Sequence, residues 1–201
     1  MKIEGIIVAG GEATRMKGLE KPLMLLRAHP LVGHVVERVL PQVSALALNV
    51  KEETAPLYAE CAATAELPLV FDGFHGQAGP LGGVLAALEW AAARGSAWLA
   101  TFPADTPFLP SDLVARLADD AREDAPAVAV TETKVQGLCA LWPVACRERL
   151  AEGIATGRYR SLWWTLDDLG AVRCRFDDET AFFNVNTEDD MKEAEAIARP
   201  S

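Results

Sequence analysis

Short apolar stretches alternate with amphipathic helical patterns from the N-terminus to about residue 131, and this alternation constrains the fold more than any other feature. Five stretches have the composition of strands: 2–8, 45–50, 69–71, 98–102 and 127–131. The segments between them show helical spacing of apolar residues: 32–40, 55–63, 80–94 and 110–122. Strands that alternate with helices predict an α/β fold with a mostly parallel central sheet covered on both faces.

The rest of the chain adds further elements without a clear domain boundary. Strands are predicted at 137–142 and 171–176, and helices at 145–155, 159–169 and 188–198. The sequence has no internal repeat, no low-complexity segment and no linker, and 201 residues fit one compact domain. We therefore predict a single domain that spans 1–201.

Composition and charge argue against several classes of protein. A net charge of −10 argues against non-specific nucleic-acid binding, which needs a basic surface. The apolar runs fall short of the ~18 residues that cross a bilayer, and the N-terminus lacks the basic region of a signal peptide. These features predict a cytoplasmic protein with no nucleic-acid or membrane partner.

The cysteines show no CxxC pair and are predicted to be reduced and buried: Cys61, Cys139, Cys146 and Cys174.

The loop after the first strand combines glycines with cations. Glycines at this position let the backbone approach a phosphate closely, and their N–H groups can line an anion-binding concavity. Two cations in the same loop suit a triphosphate, whose charge grows on the leaving pyrophosphate. We predict that the loop binds a nucleotide through Val8, Ala9, Gly10, Gly11 and Lys21, and that Arg15 and Lys21 are catalytic.

Two other phosphate-binding loops do not match this spacing. A dinucleotide-binding loop reads GxGxxG, whereas here the second glycine directly follows the first. A P-loop requires a GK pair followed by Ser or Thr, and the sequence contains no such pair here. A surface turn with solvated charges is the structural alternative.

Polar residues follow other strands at the same predicted edge of the sheet. Asp105 follows the fourth strand, and a carboxylate beside bound phosphates is a natural Mg²⁺ ligand, so we predict Asp105 as the metal ligand and Mg²⁺ as the cofactor. Asn49 ends the second strand and Asp72 ends the third, which places both at the same edge of the sheet as Gly10 and Asp105. The structural alternatives are a turn cap at Asp105, a strand end at Asn49 and an Asp-Gly turn at Asp72.

Four motifs together resemble the molybdenum cofactor guanylyltransferases. The pattern AGG-x3-RM-x4-K at 9–21 is similar to the N-terminal loop of nucleotidyltransferases that act on sugar or pterin phosphates, and VAGG is similar to the LAGG opening of the guanylyltransferases. The remaining matches are PADTPF at 103–108, GPLGG at 79–83 and FNVNTE at 183–188, where the proline that usually follows the threonine is absent.

The resemblance implies a three-layer Rossmann-like nucleotidyltransferase fold. It also implies transfer of GMP from GTP to the molybdenum–molybdopterin cofactor, with release of pyrophosphate. Asn49 and Asp72 would contact the guanine nucleotide and Asp105 would hold the metal. Gly82, Asn184 and Asn186 would lie on the pterin side, the asparagines on one face of a strand. Molybdoenzymes and the upstream metal-insertion protein are the implied protein partners.

Two alternative functions stay open. A related nucleotidyltransferase would use CTP on the pterin, or a triphosphate on a sugar phosphate. A non-catalytic carrier would bind a nucleotide or pterin without releasing pyrophosphate, although a carrier has no need for Arg15, Lys21 and Asp105 together.

Overall fold

The elements follow the chain in nearly the order that the sequence predicts. The structure is a computed structural model that describes residues 1–10, 15–16, 19–72 and 78–199. Its strands are β1 (Ile3–Val8), β2 (Arg15–Met16), β3 (Leu19–Glu20), β4 (Leu25–Leu26), β5 (His29–Pro30), β6 (Ala45–Asn49), β7 (Leu69–Val70), β8 (Trp98–Pro103), β9 (Ala127–Val130), β10 (Val135–Pro143) and β11 (Val172–Arg175). Its α-helices are α1 (Leu31–Val39), α2 (Ala55–Glu60), α3 (Pro80–Ala93), α4 (Leu113–Asp119), α5 (Arg147–Ala155), α6 (Leu162–Asp168) and α7 (Glu188–Ile197).

A seven-stranded sheet in the order β11-β9-β10-β8-β1-β6-β7 forms the centre of the fold. The pairs of β1 with β6, β1 with β8, β6 with β7 and β9 with β11 are parallel. Strand β10 runs antiparallel to both of its neighbours, β8 and β9. Two short hairpins, β2-β3 and β4-β5, lie outside this sheet. The predicted α/β fold with a mostly parallel sheet is confirmed.

Helices cover both faces of the sheet, which gives the three layers. On one face, α1 and α4 contribute buried residues to an apolar cluster that includes Val35 and Leu117. On the other face, α3, α5 and α6 contribute to a second cluster that includes Leu85, Leu150 and Leu166. Burial of one such side chain contributes about 1.5–3 kcal/mol, so both clusters hold the helices firmly against the sheet.

The parallel strands end in register, and this edge carries the predicted site. Val8 at the end of β1 pairs with Asn49 on one side and with Pro103 on the other, and Asn49 pairs in turn with Val70. The backbone N–H of Ala9 donates to the carbonyl of Asn49 at 2.9 Å. Residues that directly follow these strands therefore meet at one edge of the sheet.

Three of the four cysteines that the sequence predicts to be buried are buried. Cys139, Cys146 and Cys174 are buried and Cys61 is partly buried, and all four are free thiols. Burial raises the pKa of Cys174 to about 12, so this thiol stays protonated.

Within the described part of the chain, no helix is both long enough and apolar enough to cross a membrane.

Candidate active site at the carboxyl edge of the sheet

A pocket of about 180 Å³ opens where β1 and β8 end. Its walls come from the ends of these strands, the turn after β3, the start of α3, strand β10 and the segment before α7. Six residues that the sequence predicts as functional line it: Val8, Ala9, Lys21, Asp105, Asn184 and Asn186. The pocket therefore brings together one predicted phosphate-side cation, the predicted metal ligand and two predicted acceptor-side amides. Gly10, Asn49 and Asp72 do not line it.

Lys21 joins two of these groups through its ammonium. Its Nζ lies 2.5 Å from Oδ2 of Asp105 and donates to Oδ1 of Asn186 at 2.8 Å. Lys21 is 5% exposed and the Asp105 side chain is 17% exposed. Water screens this ion pair less than a surface pair, so its charges interact strongly.

Local structure fixes the backbone around this lysine and aspartate. Lys21 begins a single 3-10 turn, Lys21–Leu23, in which Pro22 supplies a backbone angle suited to a first turn. Asp105 lies two residues beyond β8. Its carbonyl accepts a hydrogen bond from the N–H of Val185 at 2.9 Å, which fixes the segment before α7 to the loop after β8.

Asn184 and Asn186 lie on an irregular segment and not on the strand that the sequence predicts. The reason is that this segment joins the loop after β8 and, among the described residues, forms no ladder of hydrogen bonds with a neighbouring strand. The predicted alternation still holds. Val185 is fully buried in a small apolar cluster with Leu26, while both asparagines line the pocket.

A capping box at the start of α7 holds Asn186 in place. The carboxylate of Asp190 accepts hydrogen bonds from the N–H groups of Asn186 and Thr187, both at 2.8 Å. The N–H of Asp190 donates in return to the hydroxyl of Thr187 at 3.1 Å. The hydrogen bond from the Asn186 N–H is the largest of the interactions that lower the pKa of Asp190, and the charge of Lys21 adds to them.

Asn49 and Asp72 form a second polar group at the ends of β6 and β7, outside the pocket lining. The side-chain amide of Asn49 donates to Oδ1 of Asp72 at 2.6 Å and to the carbonyl of Val70 at 3.1 Å. Asn49 is fully buried, and its Oδ1 has no hydrogen-bond partner among the described residues. A Cβ atom added at Gly10 would lie 3.3 Å from that oxygen and 3.6 Å from Oδ2 of Asp72. The bare backbone of Gly10 therefore lies against both side chains.

Three other predicted residues are placed differently or not described. Gly11 lies outside the described residues, and the structure describes only the backbone of Arg15, in β2. Gly82 is buried in the first turn of α3 and does not line the pocket. Its neighbour Gly83 packs against a predicted site residue, because a Cβ atom at Gly83 would lie 2.3 Å from Oδ1 of Asn49.

Sequence reasoning also missed part of the lining. Pro22, Pro80, Pro103, Ala104 and Leu138 contribute to the pocket. The first four adjoin predicted motif residues, so their motifs contain the signal. Leu138 carries no such signal, because its position depends on the reversed direction of β10.

The donor groups of the pocket fit a divalent cation such as Mg²⁺. Asp105 supplies a carboxylate, and Asn184 and Asn186 supply amide oxygens; hard cations prefer oxygen ligands. The Oδ1 atom of Asn184 is buried without a hydrogen-bond partner among the described residues. Those residues contain no cluster of three or more His, Cys, Asp or Glu side chains suited to a metal. The described residues therefore fit a cation that takes one carboxylate from the protein and further ligands from a bound molecule, and not an all-protein cage.

Sequence comparisons place the chain in a known family. The family model described as the MobA-like NTP transferase domain matches residues 5–169. A molybdenum cofactor guanylyltransferase of Cereibacter sphaeroides is 44% identical over 199 residues, which cover 99% of this chain and 98% of the relative. A second, of Acidiphilium cryptum, is 38% identical over 196 residues, which cover 96% and 94% of the two chains.

Solved structures share the fold over nearly the whole chain. Molybdopterin-guanine dinucleotide biosynthesis protein A of Archaeoglobus fulgidus superposes with a TM-score of 0.73 at 23% identity, covering 98% of each chain. A nucleotidyl transferase of Methanothermobacter superposes with a TM-score of 0.75 at 14% identity, covering 98% of this chain and 97% of that one. On the family model and the near full-length relatives, the chain belongs to the family of MobA-like NTP transferase domains.

Proposed function

We propose that the chain transfers GMP from GTP to the molybdenum–molybdopterin cofactor and releases pyrophosphate. The observation that carries this proposal is the junction of Lys21, Asp105 and Asn186 in one pocket at the carboxyl edge of the sheet. A cation, a carboxylate and an amide oxygen at that edge meet the needs of a reaction between two phosphate groups. Relatives that cover nearly all of the chain and are named molybdenum cofactor guanylyltransferase support the choice of both substrates.

The reaction exchanges one phosphorus–oxygen bond for another. An oxygen of the terminal phosphate of the pterin attacks the α-phosphorus of GTP. The bond between that phosphorus and the oxygen bridging to the β-phosphate breaks, and pyrophosphate leaves with the electron pair. No covalent intermediate on the protein is required, so positioning and charge stabilisation supply the catalysis.

Lys21 and Arg15 act on the leaving pyrophosphate. Lys21 already lies in the pocket beside the end of β1, where the N–H groups of a glycine turn suit phosphate oxygens. Arg15 belongs to the same predicted loop and offers two donors to one phosphate. Asp105, with Asn184 or Asn186 beside it, would hold Mg²⁺. A cation held there would offset the negative charge of the phosphates.

The guanine nucleotide lies along Val8, Ala9, Gly10 and Gly11 and reaches Asn49 and Asp72. A carboxylate suits guanine, whose ring N–H and exocyclic amino group are both donors. Asn49 holds that carboxylate by a 2.6 Å hydrogen bond and is itself fixed by the carbonyl of Val70. Asp72 thus contacts the base, and Asn49 orients Asp72 from below.

The acceptor lies on the opposite side of Lys21, next to Asn184 and Asn186. Both amides line the pocket and can donate to and accept from a pterin or its phosphate. Gly82 would act indirectly, by keeping the start of α3 close to the sheet, because it is buried and away from the pocket lining. Delivery to molybdoenzymes, contact with a metal-insertion protein and a cytoplasmic location belong to this proposal as well.

A panel of triphosphates tests the substrate assignment. The protein, Mg²⁺ and the molybdenum–molybdopterin cofactor are incubated separately with GTP, CTP, ATP and UTP, and the dinucleotide product is measured by chromatography. Product with GTP alone is expected. Product mainly with CTP, or product only when a sugar phosphate replaces the pterin, would move the chain to a sister activity within the nucleotidyltransferases.

A further inference from the structure

The Lys21 ammonium lies where a divalent cation would have to bind. It is 2.5 Å from Oδ2 of Asp105 and 2.8 Å from Oδ1 of Asn186, which are two of the oxygen donors that fit Mg²⁺ in this pocket. An ammonium and a metal ion cannot share these oxygens at such distances without strong repulsion. The Lys21 ammonium therefore occupies oxygens that the implied metal ion would need.

The resident cation is well held. Lys21 is 5% exposed, and its ammonium is buried together with the partly buried carboxylate of Asp105. The carboxylate of Asp190 adds a third attraction, since the Lys21 charge reaches it. A metal ion alone would have to displace this lysine, and Mg²⁺ in addition loses bound water reluctantly.

Nucleotide phosphates change this balance because they attract both cations at once. Lys21 has a flexible four-carbon stem and a compact charge, so its ammonium can turn from Asp105 to a phosphate oxygen without movement of the backbone. This movement of the Lys21 side chain exposes the carboxylate of Asp105 to the metal. It also releases Oδ1 of Asn186 on the acceptor side.

We propose that Lys21 and the divalent cation compete for Asp105. The nucleoside triphosphate ends this competition, because its phosphates draw the Lys21 ammonium away from the carboxylate. This inference rests on the proposed function and extends it to the order of binding. Metal binds weakly to the protein alone and tightly with the nucleotide. Oδ1 of Asn186 becomes available, to the metal or to the acceptor, only after the nucleotide has bound. Lys21 is then a coupling residue as well as a phosphate ligand.

Titration with Mn²⁺, followed by the electron paramagnetic resonance signal of the free ion, tests this without any turnover. The variant Lys21→Met keeps the length of the side chain and removes the charge. Without nucleotide, it is expected to bind Mn²⁺ at least about tenfold more tightly than the wild type. With a GTP analogue that carries a methylene group between the α- and β-phosphates, this advantage disappears, because the wild-type lysine now contacts phosphate.

Three further variants make the result specific. Lys192→Met removes the same charge from an exposed ion pair with Asp189 and is expected to bind Mn²⁺ like the wild type. Asp105→Asn is expected to abolish the tight binding in every background. Lys21→Gln, which is neutral but keeps a hydrogen-bond donor for Asn186, is expected to bind Mn²⁺ as tightly as Lys21→Met does. It replaces the methionine variant if circular dichroism shows that Lys21→Met does not fold.

The outcomes separate this inference from the function on which it rests. Equal Mn²⁺ affinity of wild type and both neutral variants, with binding that still depends on Asp105, would overturn the competition and leave the proposed function intact. Binding that is indifferent to Asp105 even with the nucleotide analogue would overturn the metal assignment itself, and the competition with it.

Discussion

The side-chain amide of Asn49 donates to Oδ1 of Asp72 at 2.6 Å, and this hydrogen bond connects the ends of two neighbouring parallel strands. Asn49 is fully buried and also donates to the carbonyl of Val70. Its orientation leaves Oδ1 directed toward the backbone of Gly83 in α3. The position of the Asp72 carboxylate, which we assign to the guanine base, thus depends through Asn49 on Gly83 in α3.

A methyl group at Gly83 should therefore weaken nucleotide binding. In Gly83→Ala the new Cβ atom would lie 2.3 Å from Oδ1 of Asn49, a distance that forces the amide to move and breaks its hydrogen bond to Asp72. Loss of a hydrogen bond to a charged group costs about 1.5–3 kcal/mol, so we expect GTP affinity to fall by roughly 10- to 100-fold. Isothermal titration calorimetry with GTP measures this change.

A double-mutant cycle identifies the cause. Asn49→Ala removes the side chain that the methyl group would strike, so Gly83→Ala should have little further effect in that background. Losses of affinity that simply add would show that Gly83→Ala acts through general damage to α3 and not through Asn49.

The capping box at the start of α7 predicts a pH-dependent stability. Asp190→Ala removes the acceptor for two backbone N–H groups and should lower the free energy of unfolding by about 1 kcal/mol at neutral pH. These hydrogen bonds lower the pKa of Asp190 below its ordinary value of 3.8. The contribution is therefore complete above the ordinary value and is lost as the pH falls through the lowered one.

Urea unfolding at several pH values measures the difference between wild type and Asp190→Ala. The difference should be constant from pH 7 to about pH 5 and should shrink only in more acidic solution. Asp189→Ala is the matched control, since it removes an exposed carboxylate from the same helical turn and an ion pair with Lys192. That control should cost only a few tenths of a kcal/mol. An equal loss in both variants would contradict the role of the capping box.

The turn between β4 and β5 contains a correctable backbone strain. Arg27 and Ala28 have φ angles of 49° and 61°, a region in which residues with a side chain are unfavourable. The N–H of Arg27 donates to Glu195 of α7, so the turn is also tied to the rest of the protein. Ala28→Gly should therefore stabilise the fold by about 0.5–1 kcal/mol.

The same substitution in a helix provides the control for this turn. Ala59→Gly in the exposed part of α2 should destabilise the protein by up to about 1 kcal/mol, because glycine is a poor helix former. Thermal unfolding of the two variants should move in opposite directions. A lower melting temperature for Ala28→Gly would show that Ala28 is not strained in this turn.

The sequence predicts the main elements well because each coincides with an apolar run or with a helical spacing of apolar residues. Even β7, with two residues, lies in the apolar run predicted at 69–71. All seven strands of the central sheet and all seven described α-helices lie within a few residues of their predicted positions. The hairpins β2-β3 and β4-β5 have strands of two residues, too short for any periodicity. The reversed direction of β10 also has no local signal, since a buried apolar strand has the same composition in either direction.

In the candidate site, too, some features have a local signal in the sequence and others do not. The positions of Lys21 and Asp105 in the pocket were predictable, because each occurs in a motif that follows the end of a strand. The contact of Lys21 with Asn186 was not, because it joins residues 165 positions apart and depends on how the segment before α7 folds back over β8. The place of Gly83 beneath Asn49 likewise arises only when α3 packs on the sheet.

The fate of the α-phosphate of GTP tests the central claim most directly. The protein is incubated with Mg²⁺, the molybdenum–molybdopterin cofactor and GTP labelled at the α-phosphate, and both labelled products and pyrophosphate are counted. We predict that the label enters the dinucleotide with one pyrophosphate released for each. Asp105→Asn, folded as judged by circular dichroism, should form the same product at least about 100-fold more slowly.

Two results would contradict the account. Label that stays in tightly bound GTP without any pyrophosphate would show a carrier and not a transferase. Full transfer by Asp105→Asn would show that the reaction does not depend on the carboxylate that Lys21 holds in this pocket.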